Sequence, residues 1–271
     1  MNLMEMKVLP GDFSPTSRPQ KLQIIWEAGE GSGLPAASLD LWVTRAPVEE
    51  IKSPRARMQA ISGIDGLPVW VAENSKQFWL WRPGLSLHLD FPGNRGEARF
   101  AGLTDWQNVL RVIYSQVLLR RRGLLLHAAG VVRQQKGYIF PGPSGAGKST
   151  IVRLSTGVTV LSDEIVAVQL SGKAAMVRGI PLNPEGDRLG AEVSARVSAI
   201  YFPIQAPENR VALLKPREVA TRLYPCVYSY ATRRPQQKRL FTTLVQLSGQ
   251  VPGFALYFRP SPELWQVIDG P

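Results

Sequence analysis

Gly142-Pro143-Ser144-Gly145-Ala146-Gly147-Lys148-Ser149 decides the fold class of this 271-residue chain. It is a full match to the phosphate-loop (Walker A) pattern, two glycines around four residues followed by Lys and a hydroxyl. The flanks agree with it. Tyr138-Ile139-Phe140, bounded by Gly137 and Pro141, predicts a short strand, and Thr150-Ile151-Val152-Arg153-Leu154 predicts the start of a helix. Glycines let the backbone curl until successive N–H groups converge on phosphate oxygens, and a helix N-terminus adds about half a positive charge. Residues 142–150, through Thr150, form the predicted nucleotide-binding set. Lys148 is placed to contact the β- and γ-phosphates, and Ser149 offers its hydroxyl to Mg²⁺, a hard ion that also needs a nearby carboxylate. The cofactors this implies are ATP and Mg²⁺.

Downstream, Val158-Thr159-Val160-Leu161 predicts a strand, and Ser162-Asp163-Glu164 stands at its end, only fifteen residues after Lys148. Open α/β sheets bind ligands at the C-terminal ends of strands. Two adjacent carboxylates there suit one Mg²⁺ ligand and one base for an incoming hydroxyl. Residues 165–170 and 174–177, separated by Ser171-Gly172-Lys173, predict a β-hairpin where most phosphate-loop proteins cross over by a longer helix. Upstream, His127 closes the run Leu124-Leu125-Leu126, and Ala128-Ala129-Gly130 behind it permits close approach of a ligand.

The composition narrows the alternatives. The 32 Lys plus Arg against 21 Asp plus Glu leave a formal charge of +11. Most of that excess lies between Arg210 and Leu240, where Arg210, Lys215, Arg217, Arg222, Arg233, Arg234, Lys238 and Arg239 face Glu218 alone. Such a segment concentrates anions, whether nucleotide phosphates, an acidic peptide or nucleic acid. A nucleic-acid-linked ATPase is disfavoured, because no recognition module or aromatic platform accompanies the charge. No window approaches 18 consecutive apolar residues, so no membrane span is expected. The first residues carry no apolar signal-peptide core, and Cys226 stands alone; together these predict a reducing, cytoplasmic location.

Residues 1 to about 100 are rich in Pro, Gly and Trp, with runs such as Val69-Trp70-Val71 and Phe78-Trp79-Leu80-Trp81 that predict strands. Leu85-Ser86-Leu87-His88-Leu89-Asp90 alternates with period two, which makes His88 a surface residue. Trp26, Trp42, Trp70, Trp79 and Trp81 suit either a binding face or a core, and core packing is the use expected of them. A helix follows, capped by Thr104 or Asp105 and ended by Arg120-Arg121-Arg122-Gly123. The predicted division is a strand-rich domain over 1–100, a candidate for substrate or partner recognition, and a nucleotide-binding domain over 101–271.

Leu126-His127-Ala128-Ala129-Gly130-Val131, the loop Gly142 to Ser149, and Leu161-Ser162-Asp163-Glu164 together resemble the core of the HPr kinase/phosphorylase family, and that core resembles the nucleotide-binding part of phosphoenolpyruvate carboxykinase. The likeness covers about residues 125–180. It implies an α/β fold with a mixed sheet around a phosphoenolpyruvate carboxykinase-like P-loop core. It also implies catalytic roles for His127, Lys148, Asp163 and Glu164 and metal contacts from Ser149, Asp163 and Glu164. Arg178-Gly179 resembles the Arg-Gly of the family's second signature. The chain differs in having Glu164 where the family usually has Asp, and Met176 where an acid usually stands two residues before the Arg. The first hundred residues do not resemble the regulatory domain of the bifunctional enzyme acting on HPr; the layout is more similar to the smaller HPr-kinase-like proteins.

The activity implied is transfer of the γ-phosphoryl group of ATP to a hydroxyl. The expected acceptor is Ser or Thr of a peptide or protein, including precursors of ribosomally made peptides, and an acidic acceptor matches the basic segment. A free serine-like small molecule is the alternative acceptor. Carboxykinase chemistry is disfavoured by the length of the chain. Arg178, Arg233 and Arg234 are the candidates for substrate or transition-state contacts. A non-catalytic nucleotide-binding scaffold is the rival from another class, and homo-oligomerisation is compatible with all of these.

Overall fold

Period-two alternation carries the N-terminal part into strands: in Leu85–Asp90 the Leu side chains are buried and Ser86, His88 and Asp90 are half-buried. The computed structural model describes residues 6–8, 19–26, 37–54, 57–62, 68–180, 193–261 and 263–269. It is a strand-rich, mixed α/β chain in two compact units, residues 1–116 with 230–237 and residues 117–229 with 238–271. The sequence boundary near residue 100 assigned the following helix to the second part, whereas residues up to 116 group with the first.

The first unit holds β1 (Met6–Val8), β2 (Gln20–Trp26), β3 (Ala37–Arg45), β4 (Gln59–Ser62), β5 (Pro68–Glu73), β6 (Gln77–Arg82), β7 (Leu85–Asp90) and β8 (Arg95–Phe100). They form one sheet in the order β1-β2-β3-β8-β7-β6-β5-β4. All pairs are antiparallel except β3 with β8, which is parallel. Leu22, Leu41, Val71, Phe78, Leu80 and Leu87 are among the side chains buried on one face, each worth roughly 1.5–3 kcal/mol of transfer free energy. The tryptophans depart from the expected core packing. Trp42, Trp70, Trp79 and Trp81 are half-buried on the opposite face; the Trp26 side chain lies outside the described residues.

Helix α1 (Leu103–Arg120) begins at a contact made by Asp105, one of the two residues expected to cap it. Its N-cap is Gly102, whose N–H donates to Asp105 Oδ2 at 3.2 Å, so Asp105 reaches back from the first turn in the manner of half a capping box. Residues 230–237 return to the first unit, and Glu73 at the end of β5 receives them. Its Oε1 accepts the Thr232 N–H at 2.6 Å, the Thr232 hydroxyl at 3.0 Å and the Arg233 N–H at 2.8 Å.

The second unit continues with β9 (Gly123–Arg133), β10 (Lys136–Pro141), α2 (Lys148–Leu154), β11 (Thr159–Ser162), β12 (Ile165–Ser171), β13 (Ala174–Gly179), β14 (Ser194–Gln205), β15 (Arg210–Leu214), α3 (Pro216–Leu223), α4 (Arg234–Gln250, whose first turn belongs to the first unit), β16 (Gly253–Phe258) and α5 (Leu264–Asp269). The sheet runs β10-β9-β12-β13-β14-β16-β15, with β11 on β9. Parallel pairing of β10 with β14 joins the path β10-β9-β12-β13-β14 into a ring. The predicted hairpin is β12–β13. Ile151 and Val152 of α2 pack with Phe140, Tyr201, Phe258 and Trp265 in one buried cluster. The end of α2 is fixed there, because Trp265 Nε1 donates to Ser155 Oγ at 3.0 Å and that hydroxyl donates to the Ile151 carbonyl at 2.7 Å. Among the described residues no helix is long and apolar enough to cross a membrane.

Phe140 is fully buried, with its ring 5.9 Å from Tyr201 and 6.3 Å from Trp265. Phe140→Ala is expected to lower the unfolding free energy by about 3–5 kcal/mol. Denaturant titration checks this, and a change below about 1 kcal/mol would contradict the packing described.

Candidate functional site

One strand organises the site. On one edge of β9 lies β10, with Phe140 opposite Ala129 and Pro141 opposite Ala128. On the other edge lie β11 and β12, with Ser162 opposite Gly130 and Ile165 opposite His127. The two strands on that edge are interrupted at Asp163 and Glu164. Main-chain bonds hold both flanks to neighbouring residues of β9: the Gly142 N–H donates to the His127 carbonyl at 3.5 Å, and the Ala128 N–H donates to the Glu164 carbonyl at 2.9 Å. Strands lie about 4.8 Å apart, so the entrance of the glycine-rich loop and the acidic turn stand roughly 10 Å apart across β9.

The loop has the backbone its glycines allow. Gly145 has φ +80° and Gly147 φ +98°, in the region that L side chains rarely enter. Gly147 is constrained twice, since a Cβ there would run into the ring of Phe258. It is the N-cap of α2, and its carbonyl accepts the Ile151 N–H at 2.9 Å. Lys148 is buried, with its ammonium donating to the carbonyls of Gly142 and Pro143, both at 2.9 Å. Burial pushes its pKa below the ordinary lysine value, opposed by charge interactions with Cys226, Glu164 and Asp163. The acidic doublet and the loop lysine therefore share one electrostatic neighbourhood.

The acidic turn is shaped by its own serine. Ser162 Oγ accepts the N–H groups of Glu164 at 3.1 Å and Ile165 at 3.0 Å, the local pattern by which short hydroxyl side chains fix turns. Asp163 is left exposed and Glu164 half-buried. Between turn and loop lies a cleft of about 490 Å³ lined by His127, Ser144, Gly145, Gly147, Lys148, Ser149, Thr150, Asp163, Glu164 and Gln205. His127 is half-buried beside Tyr228, with ring centroids 6.2 Å apart. Cys226 is buried, and that burial raises its thiol pKa against the pull of Lys148.

Most of the residues singled out in the sequence thus line one cleft. Gly142, Pro143 and Ala146 shape the loop without lining it. Arg178 lies on β13 opposite Ala167 and Ser194, one pair from Val166–Gly179; it is half-buried and is not among the cleft-lining residues. Arg233 and Arg234 belong to the strand-rich unit, where both are exposed next to the Glu73 contact. Gln205 was missed: its Nε2 donates to the Gly145 carbonyl at 3.0 Å. It ends β14, the strand parallel to β10, and that adjacency, on which its place beside the loop depends, is not written in the residues around it. Ser162 was noted as part of the turn, but its two bonds were not foreseen.

The donor set is of the kind that could hold a hard divalent ion. The Ser149 hydroxyl and two carboxylates offer oxygen ligands, and Mg²⁺ usually completes its shell with phosphates and water. Among the described residues there is no group of three or more His, Cys, Asp or Glu that could hold a metal. No protein-family model matches the chain, and no curated protein matches it.

Gly147→Ala is expected to lower stability by about 1–3 kcal/mol, because both the positive φ and the Phe258 ring oppose a side chain. Thermal unfolding tests it. An unchanged midpoint would show that the loop tolerates another backbone path.

Proposed function

We propose that the chain is an ATP- and Mg²⁺-dependent kinase that transfers the γ-phosphoryl group to a hydroxyl, on a phosphoenolpyruvate carboxykinase-like P-loop core of HPr-kinase type. The observation that carries the reading is the meeting of Lys148, Ser149, Asp163, Glu164 and His127 in one cleft. A phosphate cradle alone would support only binding; carboxylates facing it supply the groups that transfer needs.

Bound ATP with Mg²⁺ would supply the transferable group and a counter-charge for it. The protein's part is positioning and charge. Main-chain N–H groups of the loop receive phosphate oxygens, and the Lys148 ammonium exchanges its carbonyl partners for phosphate. Ser149 and Asp163 would hold the metal. Glu164 or Asp163, assisted by His127, accepts the proton of the acceptor hydroxyl. Gln205 fixes the tip of the loop through Gly145. The preferred acceptor is Ser or Thr of a peptide or protein, with a free serine-like molecule second. Arg178, Arg233 and Arg234 stay as candidates for contacts to substrate.

A second reading, nucleotide binding without transfer, draws on Met176. It is buried on β13, two residues before Arg178, where the resembled family carries an acid. Incubation with labelled ATP and a panel of Ser and Thr peptides and free serine separates the two readings. Acceptor-dependent turnover supports the kinase; tight binding without turnover supports the second.

Lys148→Ala is expected to weaken nucleotide binding and to reduce turnover on the order of 10²-fold or more. Asp163→Asn is expected to abolish turnover while ATP affinity stays appreciable. Transfer near the wild-type rate in Asp163→Asn, or indifference of the wild-type protein to millimolar ATP, would sink the reading.

A further inference from the structure

The outer face of the strand-rich sheet carries a slot that the nucleotide reading does not use. Register puts Lys21, Trp42, Glu97, His88 and Trp79 side by side across β2, β3, β8, β7 and β6, and residues directly opposite one another share a face. Both ends of this row are closed. Lys21 Nζ stands 5.4 Å from the Trp42 ring centroid and is tied to Asp40 at 2.8 Å. Trp79 stacks on His88 with centroids 4.9 Å apart and planes 7° apart. The interval between Trp42 and His88 remains, with Glu97 at its floor. Two strand spacings make it roughly 10 Å wide at the backbone, which suits one flat group in van der Waals contact with a ring on either side at about 3.5–4.0 Å. A cavity of about 480 Å³ lies here, lined by Trp42, His88, Glu97, Gln77 and the Asp90–Arg95 pair.

Charge selects the occupant. Asp90 is already met by Arg95 Nε at 3.3 Å, and Asp40 by Lys21. Glu97 is exposed and makes no hydrogen bond or ion pair with a described residue. The His88 Nε2 atom is shielded from solvent and has no hydrogen-bond partner among the described residues. Burial pushes the imidazole below its ordinary range, against the pull of Glu97 and Asp90. The slot thus offers two aromatic faces and one carboxylate open to a counter-ion.

We propose that this slot binds the guanidinium group of an arginine side chain on a peptide segment, stacked between Trp42 and His88 and paired with the Glu97 carboxylate. A guanidinium is planar, weakly hydrated and always charged, stacks on aromatic faces, and presents parallel N–H donors that match a carboxylate. An ammonium lacks the flatness. A neutral ligand leaves the Glu97 charge without a partner, and an anion is repelled by it. The inference stands apart from the nucleotide reading, since it concerns a different unit and different residues.

The test titrates the full-length protein by calorimetry with three capped tripeptides that differ only at the central residue: arginine, lysine or citrulline. Arginine is expected to bind roughly tenfold more tightly than citrulline, which keeps the shape and loses the charge, and more tightly than lysine. Glu97→Gln should erase the difference between arginine and citrulline, and Trp42→Leu should weaken arginine binding, with thermal unfolding confirming that both variants fold. ATP affinity, measured in the same samples, should be untouched by Glu97→Gln. Equal affinity for arginine and citrulline, no arginine binding at millimolar peptide, or an unaltered arginine preference in Glu97→Gln would each overturn the proposal.

Discussion

The candidate cleft depends on the main-chain pairing of a single strand. Because β9 is antiparallel to β10 on one edge and to β11 and β12 on the other, residues far apart in sequence arrive at the same level of the sheet. The bond from Ala128 N–H to the Glu164 carbonyl, at 2.9 Å, is of ordinary strength, contributing on the order of 1 kcal/mol net, and that from Gly142 N–H to the His127 carbonyl, at 3.5 Å, is weaker. Their value lies in position. A one-residue slip of β9 would turn its side chains to the other face and carry His127 out of the cleft.

Around that strand, local chemistry and packing divide the work. Ser162 shapes the acidic turn, Gln205 steadies the loop tip, and the Phe258 ring excludes any side chain at Gly147. Trp265 and Ser155 fix the far end of α2. Lys148 sits where burial disfavours its charge and where Asp163 and Glu164 restore part of it. Such opposition is common at sites that handle charge.

The features legible in the sequence were those written in adjacent residues. The loop pattern, the doublet Asp163-Glu164 and the turn Ser171-Gly172-Lys173 each carry local information, and the hairpin over β12 and β13 follows their boundaries closely. The alternation of Leu85, Leu87 and Leu89 with Ser86, His88 and Asp90 predicted both the strand and its buried face. What escaped depends on distant pairing. The junction of β10 with β14 sets Gln205 beside Gly145, yet nothing near Gln205 in the sequence announces it. The tryptophans misled for a related reason: aromatic residues suit a core or an exposed sheet face equally well, and only the register across strands separates the two.

The path of the chain bears on modularity. The strand-rich unit is not one continuous stretch: it takes back residues 230–237 after the chain has traversed much of the second unit. Glu73 Oε1 receives its three donors from Thr232 and Arg233, so a fragment cut off after residue 116 would leave that carboxylate without them. The unit can therefore be moved intact only with both stretches of chain, 1–116 and 230–237.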